Sequence, residues 1–208
     1  MTELPALITA FSAMFVVIDP IGLAPLFIAM TQGMTQRERL VIGGRACVVA
    51  IGLLLLFAFL GESLLTFIGI SMPAFQIAGG VLLFLTALDM LFERRQARRQ
   101  DNADDAMQPA HDPSIFPLAI PLIAGPGAIA TMILLTSQTE SALGFGAIIG
   151  VMMTVIAMVF AMFMLAGVLE RLLGKTGINV VTRLLGMLLA ALAVQFILNG
   201  LKGFGLAG

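Results

Sequence analysis

Asp19-Pro20-Ile21-Gly22-Leu23-Ala24-Pro25 decides how this chain is read. It lies inside an apolar segment from about Leu4 to Met30, 27 residues in which Asp19 is the one charge. At about 1.5 Å per residue a helix of that length reaches roughly 40 Å, enough to cross a bilayer with tilt. Asp19 then falls near the middle of the membrane, where a carboxylate costs about 2.5–3.5 kcal/mol on insertion scales. Pro20 and Pro25 have no N–H for the carbonyls of Val16 and Ile21, and Gly22 loosens the backbone between them. The stretch predicts a broken span that faces protein or water, because lipid cannot satisfy loose backbone. The plainer alternative is a proline kink whose Asp19 pairs with a neighbouring helix.

The rest of the composition agrees with a chain that lives in lipid. Of 208 residues 60% are apolar and 11% charged, and the mean hydropathy is +1.07, well outside the range of soluble domains. The net charge of −1 offers no basic surface to nucleic acid. Cys47 is the single cysteine and His111 the single histidine. An intrachain disulfide and a histidine-based metal cluster are therefore both excluded.

Six apolar stretches follow, at roughly 4–30, 41–60, 67–91, 115–136, 144–169 and 180–201, each long enough to span. The expected fold is an all-α polytopic membrane protein of six transmembrane helices, a single membrane domain over 1–208. Residues 93–114, with RRQARRQDNADDAMQPAHDPS at their centre, form the one long hydrophilic linker. They separate a first repeat (1–92) from a second (115–208). The first apolar run has no Lys or Arg before Arg37 and exceeds a signal-peptide core, so it is expected to be retained.

Basic residues orient the bundle. Ten of eleven flank the first, third and fifth loops, Lys202 being the exception, while the second and fourth loops carry only Glu62 and Glu140. The positive-inside rule places both termini outside the cytoplasm. For a bacterium this means multi-pass insertion in the inner membrane with both termini periplasmic. Arg45 and Arg183 lie just inside span ends and are expected to snorkel. Arg45 is also the nearest intraspan base to Asp19 in sequence, and so its expected partner if one exists.

A duplication is visible within the chain. ESLLTFIGIS (62–71) aligns without gaps to ERLLGKTGIN (170–179), with five identities in ten. Pro20-x4-Pro25 has a counterpart in Pro121-x4-Pro126, within AIPLIAGPG (119–127), although aligning Pro20 with Pro126 fits the loop lengths better. Three spans per repeat is odd, so the halves must be inverted relative to each other. Inverted repeats with matched, Pro/Gly-interrupted helices point to a transporter whose site lies at the midplane, between the broken first and fourth helices.

The chemistry of such a site comes from the breaks. An N–H end suits a carboxylate, and a carbonyl end beside Asp19 suits an ammonium or a small cation. In the fourth span Pro117, Pro121 and Pro126 withhold donors from Pro113, Pro117 and Leu122, and Gly125 and Gly127 clear the backbone. The candidate substrate-binding residues are Asp19, Pro20, Gly22, Pro25, Pro121, Gly125, Pro126, Gly127 and Thr131. Thr131 could equally bond its own helix. Gln76, Gln195 and Asn199 are expected to link helices, and Gly43-Gly44 and Gly79-Gly80 to permit close packing. No P-loop, HExxH or GxSxG occurs, so an enzyme is not expected; the alternatives to transport are a structural or regulatory membrane protein and, less favoured, an intramembrane enzyme with Asp19 as its base. No cofactor is indicated, with H+ or Na+ as the ion that could couple transport. The expected partners are the bilayer and a small-molecule substrate.

The runs DPIGLAPLFIAMT, SMPAFQIAGGVLL, PLAIPLIAGPGAIATMI and RLLGMLLAALAVQFILNG resemble the MarC family of bacterial inner-membrane proteins, in order and across all six spans. Members commonly carry Asn where this chain has Leu23. The resemblance implies kinship with small-metabolite transporters, some of them assigned neutral amino acids. Antibiotic resistance, to which the family name refers, has no counterpart in any motif of this sequence.

Overall fold

The computed structural model describes residues 4–92, 112–139 and 141–205. The fold is all-helical among these residues. It begins with α1 (Leu4–Ile18) and α2 (Pro20–Met30), followed by α3 (Gln36–Ile68) and α4 (Met72–Leu91). A wide-turned segment α5 (Ser114–Ile123), α6 (Pro126–Ser137) and the helical run α7 (Ala142–Gly203) complete it. Five stretches are long and apolar enough to cross a membrane, and the bent pair α5–α6 brings the number to six.

Local chemistry sets the ends. Thr35 and Glu38 close the start of α3 as a capping box, the Glu38 N–H donating to Thr35 Oγ1 at 3.3 Å and the Thr35 N–H to Glu38 Oε2 at 2.7 Å. Ser71 and Ser141 cap α4 and α7 through the N–H groups of Ala74 and Gly144. Gly69, at φ 83°, ends α3 in the left-handed conformation that only glycine adopts freely. The hydropathy reading needs one correction here. Span two is not confined to 41–60, since α3 continues helically past Glu62, which belongs to the helix and not to a loop. The connection expected between spans five and six is a short one, breaking at Gly174 (φ 61°, ψ 178°) between the arms Ala142–Leu169 and Thr176–Gly203.

The first span is the centre of the bundle. In its most apolar window 72% of residues are buried, against 28–33% in the four other continuous spans. Phe27 of α2 stacks on Phe163 of α7 with ring centroids 4.3 Å apart, beside Gly43, where a side chain would touch both rings. On the far side α4 lies against the second arm of α7 at near-backbone distance. A Cβ at Gly80 would come within 2.8 Å of the Ala193 carbonyl, and one at Gly200 within 2.8 Å of the Pro73 carbonyl. The expectation that Gly79-Gly80 serve packing therefore holds, Gly79 approaching Leu134 of α6 in the same way.

The order of elements is broken span, long helix, long helix, twice over. The linker expected at 93–114 lies mostly outside the described residues, His111 and the arginines at 94, 95, 98 and 99 included. Its last residues are in place: Asp112 pairs with Arg45, Nη2 to Oδ2 at 2.8 Å.

Candidate functional site

The site is built from the two breaks. At the first, Asp19 is the single residue between α1 and α2, with φ 58° and ψ 66°. It is the only non-glycine residue with positive φ among those described, a conformation that Asp and Asn tolerate best. The hydrogen-bond ladder passes through it on both sides. Its N–H donates to the Phe15 carbonyl at 2.9 Å, and its own carbonyl accepts from Leu23 N–H at 3.1 Å. The side chain folds forward as an N-cap, Oδ1 accepting from the Gly22 N–H at 3.0 Å, which places a carboxylate at the positive end of α2. This explains Gly22, since any Cβ there would overlap the Asp19 carboxylate. Asp19, Pro20 and Gly22 are buried and Pro25 is half-buried. At the other end of α2, Arg39 Nη2 donates to the Thr31 carbonyl at 3.2 Å, a cation on the negative end of the helix.

The second break differs in form. Phe116 and Ile120 are extended (φ −123° and −127°) inside α5, as residues before proline prefer, so this half-span is more irregular than a helix kinked by proline. The Pro113 carbonyl, expected to be free, accepts from the Leu118 N–H at 3.4 Å. The chain turns by 55° between α5 and α6. Gly125 is the N-cap residue of α6, and no side chain closes that terminus. The missing side chain of Gly125 leaves no open approach, because the Pro121 carbonyl fills its place. Pro126 then starts α6 as Pro20 starts α2. Each break is thus followed by a proline at the first position of the next helix.

The breaks abut. A Cβ at Gly127 would lie 3.2 Å from Val17 Cγ1 at the end of α1 and 3.4 Å from Leu83 of α4. Three elements therefore meet where α6 begins. One turn on, Thr131 is fully buried and donates to the Gly127 carbonyl at 2.8 Å, the helix-internal bond weighed for it from sequence.

Arg45 does not provide the partner expected for Asp19. Its guanidinium is turned to Asp112, at the head of α5. Ser114, fully buried, donates to Asp112 Oδ1 through its hydroxyl at 2.6 Å and its N–H at 3.0 Å. These two bonds, with Arg45 adding to them, hold the Asp112 carboxyl below its ordinary range against the opposing effect of burial. This latch, which pins the start of the second broken span to α3, was not anticipated. Its signal was present in Asp-Pro-Ser ahead of an apolar run, a helix-start pattern. Gln195 and Asn199 bond each other along α7, Nε2 to Oδ1 at 2.9 Å, so they do not bridge helices as expected.

Among the described residues no group of three or more His, Cys, Asp or Glu could hold a metal ion. Known proteins agree with the architecture. Residues 4–204 match the family model described as MarC family integral membrane protein. A UPF0056 membrane protein of Methanocaldococcus jannaschii is 36% identical over 202 residues, covering 97% of this chain and 98% of its own. The UPF0056 membrane protein YvbG of Bacillus subtilis is 34% identical over 200 residues, 95% and 94% of the two chains. YhcE of Escherichia coli, likewise a UPF0056 membrane protein, is 33% identical over 203 residues, 97% and 94%. No solved structure matches the chain. A multi-pass integral membrane protein with this span pattern and near-full-length similarity of this order belongs to the MarC family.

Proposed function

We propose that this protein transports a small polar metabolite, a neutral amino acid being the class that fits its breaks, and that it is not an enzyme. The observation that carries the reading is the burial of the broken span. The span with a carboxylate at its break is also the one most enclosed by protein, the setting in which membrane proteins keep irregular backbone for function. The two breaks are unlike each other, which suits a zwitterion. Asp19 supplies negative charge for an ammonium group, and the α6 terminus, lacking a side-chain cap, supplies N–H groups for a carboxylate. Asp19 and Thr131 are fully buried in this conformation, so access requires the elements around the junction to part. The twice-occurring order of broken span and two long helices supports inverted repeats that rock against each other, with H+ or Na+ as the coupling ion.

Purified protein in proteoliposomes is expected to take up at least one member of a panel of labelled neutral amino acids above protein-free vesicles. No flux of any member, in either direction and under either ion gradient, would overturn the proposal. A second reading, a structural or regulatory membrane protein that moves nothing, draws on one observation. Asp19 and Thr131 each complete a hydrogen bond within their own helix.

We place the protein in the inner membrane with both termini periplasmic, on the charge asymmetry of its loops. A periplasm-reporting fusion at Gly208 should be active and one near Gln100 silent. The reverse pattern would invert the orientation.

A further inference from the structure

A second cavity lies away from the breaks, at the end of α3 remote from Arg37, Arg39 and Arg45. It is an open pocket of about 640 Å³ between α3, the end of α6 and the start of α7. From Gly127 to Thr136, which lines it, α6 covers about 14 Å at 1.5 Å per residue, so it is a separate place from the junction of the breaks.

Its walls combine one carboxylate, Glu62, with three aromatic rings, Phe59, Phe67 and Phe145. Phe59 and Phe145 form a tilted pair with centroids 5.0 Å apart. The hydroxyl protons of the three wall threonines are already committed to backbone, and Ser63 adds a fourth hydroxyl. Thr66 donates to the Glu62 carbonyl at 2.9 Å, Thr136 to Met132 at 2.9 Å, and Thr139 to Thr136 at 2.7 Å. These oxygens therefore turn lone pairs, not protons, toward a ligand. Helices α3 and α6 both end here, with carbonyl ends that carry partial negative charge. The opposite pole, the N-terminus of α7, is closed by Ser141 through the Gly144 N–H at 3.0 Å. Acceptors, a carboxylate and π-faces surround one space, which suits a cation with an apolar body.

We propose that this cavity binds an organic ammonium group, with Glu62 as its counter-ion and the phenylalanine rings holding the attached apolar part. The proposal stands apart from the transport reading, because binding is measured without flux. The group could belong to a free amine or to a phospholipid headgroup, and both present the same chemistry to Glu62.

The test is calorimetric titration of the purified full-length protein in detergent with phenethylammonium and with its neutral counterpart 2-phenylethanol. The cation should bind about tenfold more tightly than the alcohol, through its ion pair and cation–π contacts. Glu62→Gln should weaken the cation about threefold to tenfold and leave the alcohol unchanged. Phe59→Leu keeps apolar volume and removes a ring, and should weaken the cation about threefold. Both positions are exposed, so folding is not at stake. Equal affinity for cation and alcohol, or a Glu62→Gln protein that binds the cation like the wild type, overturns the assignment. Titration in nanodiscs then separates the sources. Weaker apparent binding in phosphatidylethanolamine than in amine-free diglucosyldiacylglycerol identifies the headgroup as occupant, and equal binding identifies a free amine.

Discussion

Asp19→Asn is expected to reduce transport by at least about tenfold while the protein inserts, folds and unfolds as the wild type does. The two halves of that expectation have separate physical sources. Asparagine caps helices as well as aspartate does and is among the few residues at ease with φ near 58°. The Gly22 N–H therefore keeps an acceptor, and the space cleared by Gly22 still suits the side chain. Only the ionisable charge is lost, and its removal from the membrane interior eases insertion. Asp19→Ala supplies the contrast. It forfeits the cap, about 1 kcal/mol, and puts an ordinary residue in the left-handed region at about 1–2 kcal/mol more. Alanine should thus lower stability where asparagine does not. The measurements are uptake by each purified variant and thermal unfolding in detergent. Asparagine protein with wild-type uptake and wild-type stability would remove the Asp19 charge from the mechanism.

Much of this arrangement could be read before any coordinates. The breaks were legible because Asp-Pro and Gly-Pro are punctuation with a mechanism. A proline starts a helix well, and the residue before it is pushed out of helical geometry. Hydropathy located the six spans because lipid imposes a length on them. It could not show how far a helix runs on, so Glu62 was read as loop when it lies inside α3, which ends at Ile68. Nor could it place the turn between the two arms of α7 at Gly174. That needs a φ of 61°, and a glycine in sequence announces the freedom but not its use.

Side-chain partners were the least legible. Sequence proximity within the apolar spans nominated Arg45 for Asp19, yet Arg45 finds Asp112 across 67 positions of chain, a pairing that only the packing of α5 on α3 can specify. The glycines divide instructively. Gly22 was read as loosening the backbone and Gly125 as an opening for a ligand, and both spaces are taken by the chain itself, by the Asp19 carboxylate and the Pro121 carbonyl. Gly127, at the meeting of α1, α4 and α6, faces only side-chain ends, the neighbours best able to move aside when the breaks part.

The other large effect is expected at the seam between α4 and the second arm of α7. Gly80→Ala and Gly200→Ala should each destabilise the protein by about 1–3 kcal/mol, the range for overpacking a close-fitting interior. At these positions the obstruction is backbone. The Cβ of residue 80 would meet the Ala193 carbonyl at 2.8 Å and the Ile197 nitrogen at 3.1 Å. That of residue 200 would meet the Pro73 carbonyl at 2.8 Å and the Ile77 nitrogen at 3.2 Å. A side chain can rotate away from such an overlap, whereas a helix has to shift as a body. In lipid this cost is hard to recover, since helix association there depends on close van der Waals contact more than on exclusion from water. Both substitutions push the same two helices apart, so the double variant should lose less than the sum of the singles. Gly52→Ala is the matched control, a glycine of α3 with open space where its Cβ would be, and should be neutral within about 0.5 kcal/mol. Thermal unfolding of the four variants in one detergent decides the matter. Gly80→Ala and Gly200→Ala proteins as stable as Gly52→Ala would mean that α4 and α7 do not meet at backbone distance, and that the wall beside the first span is looser than described.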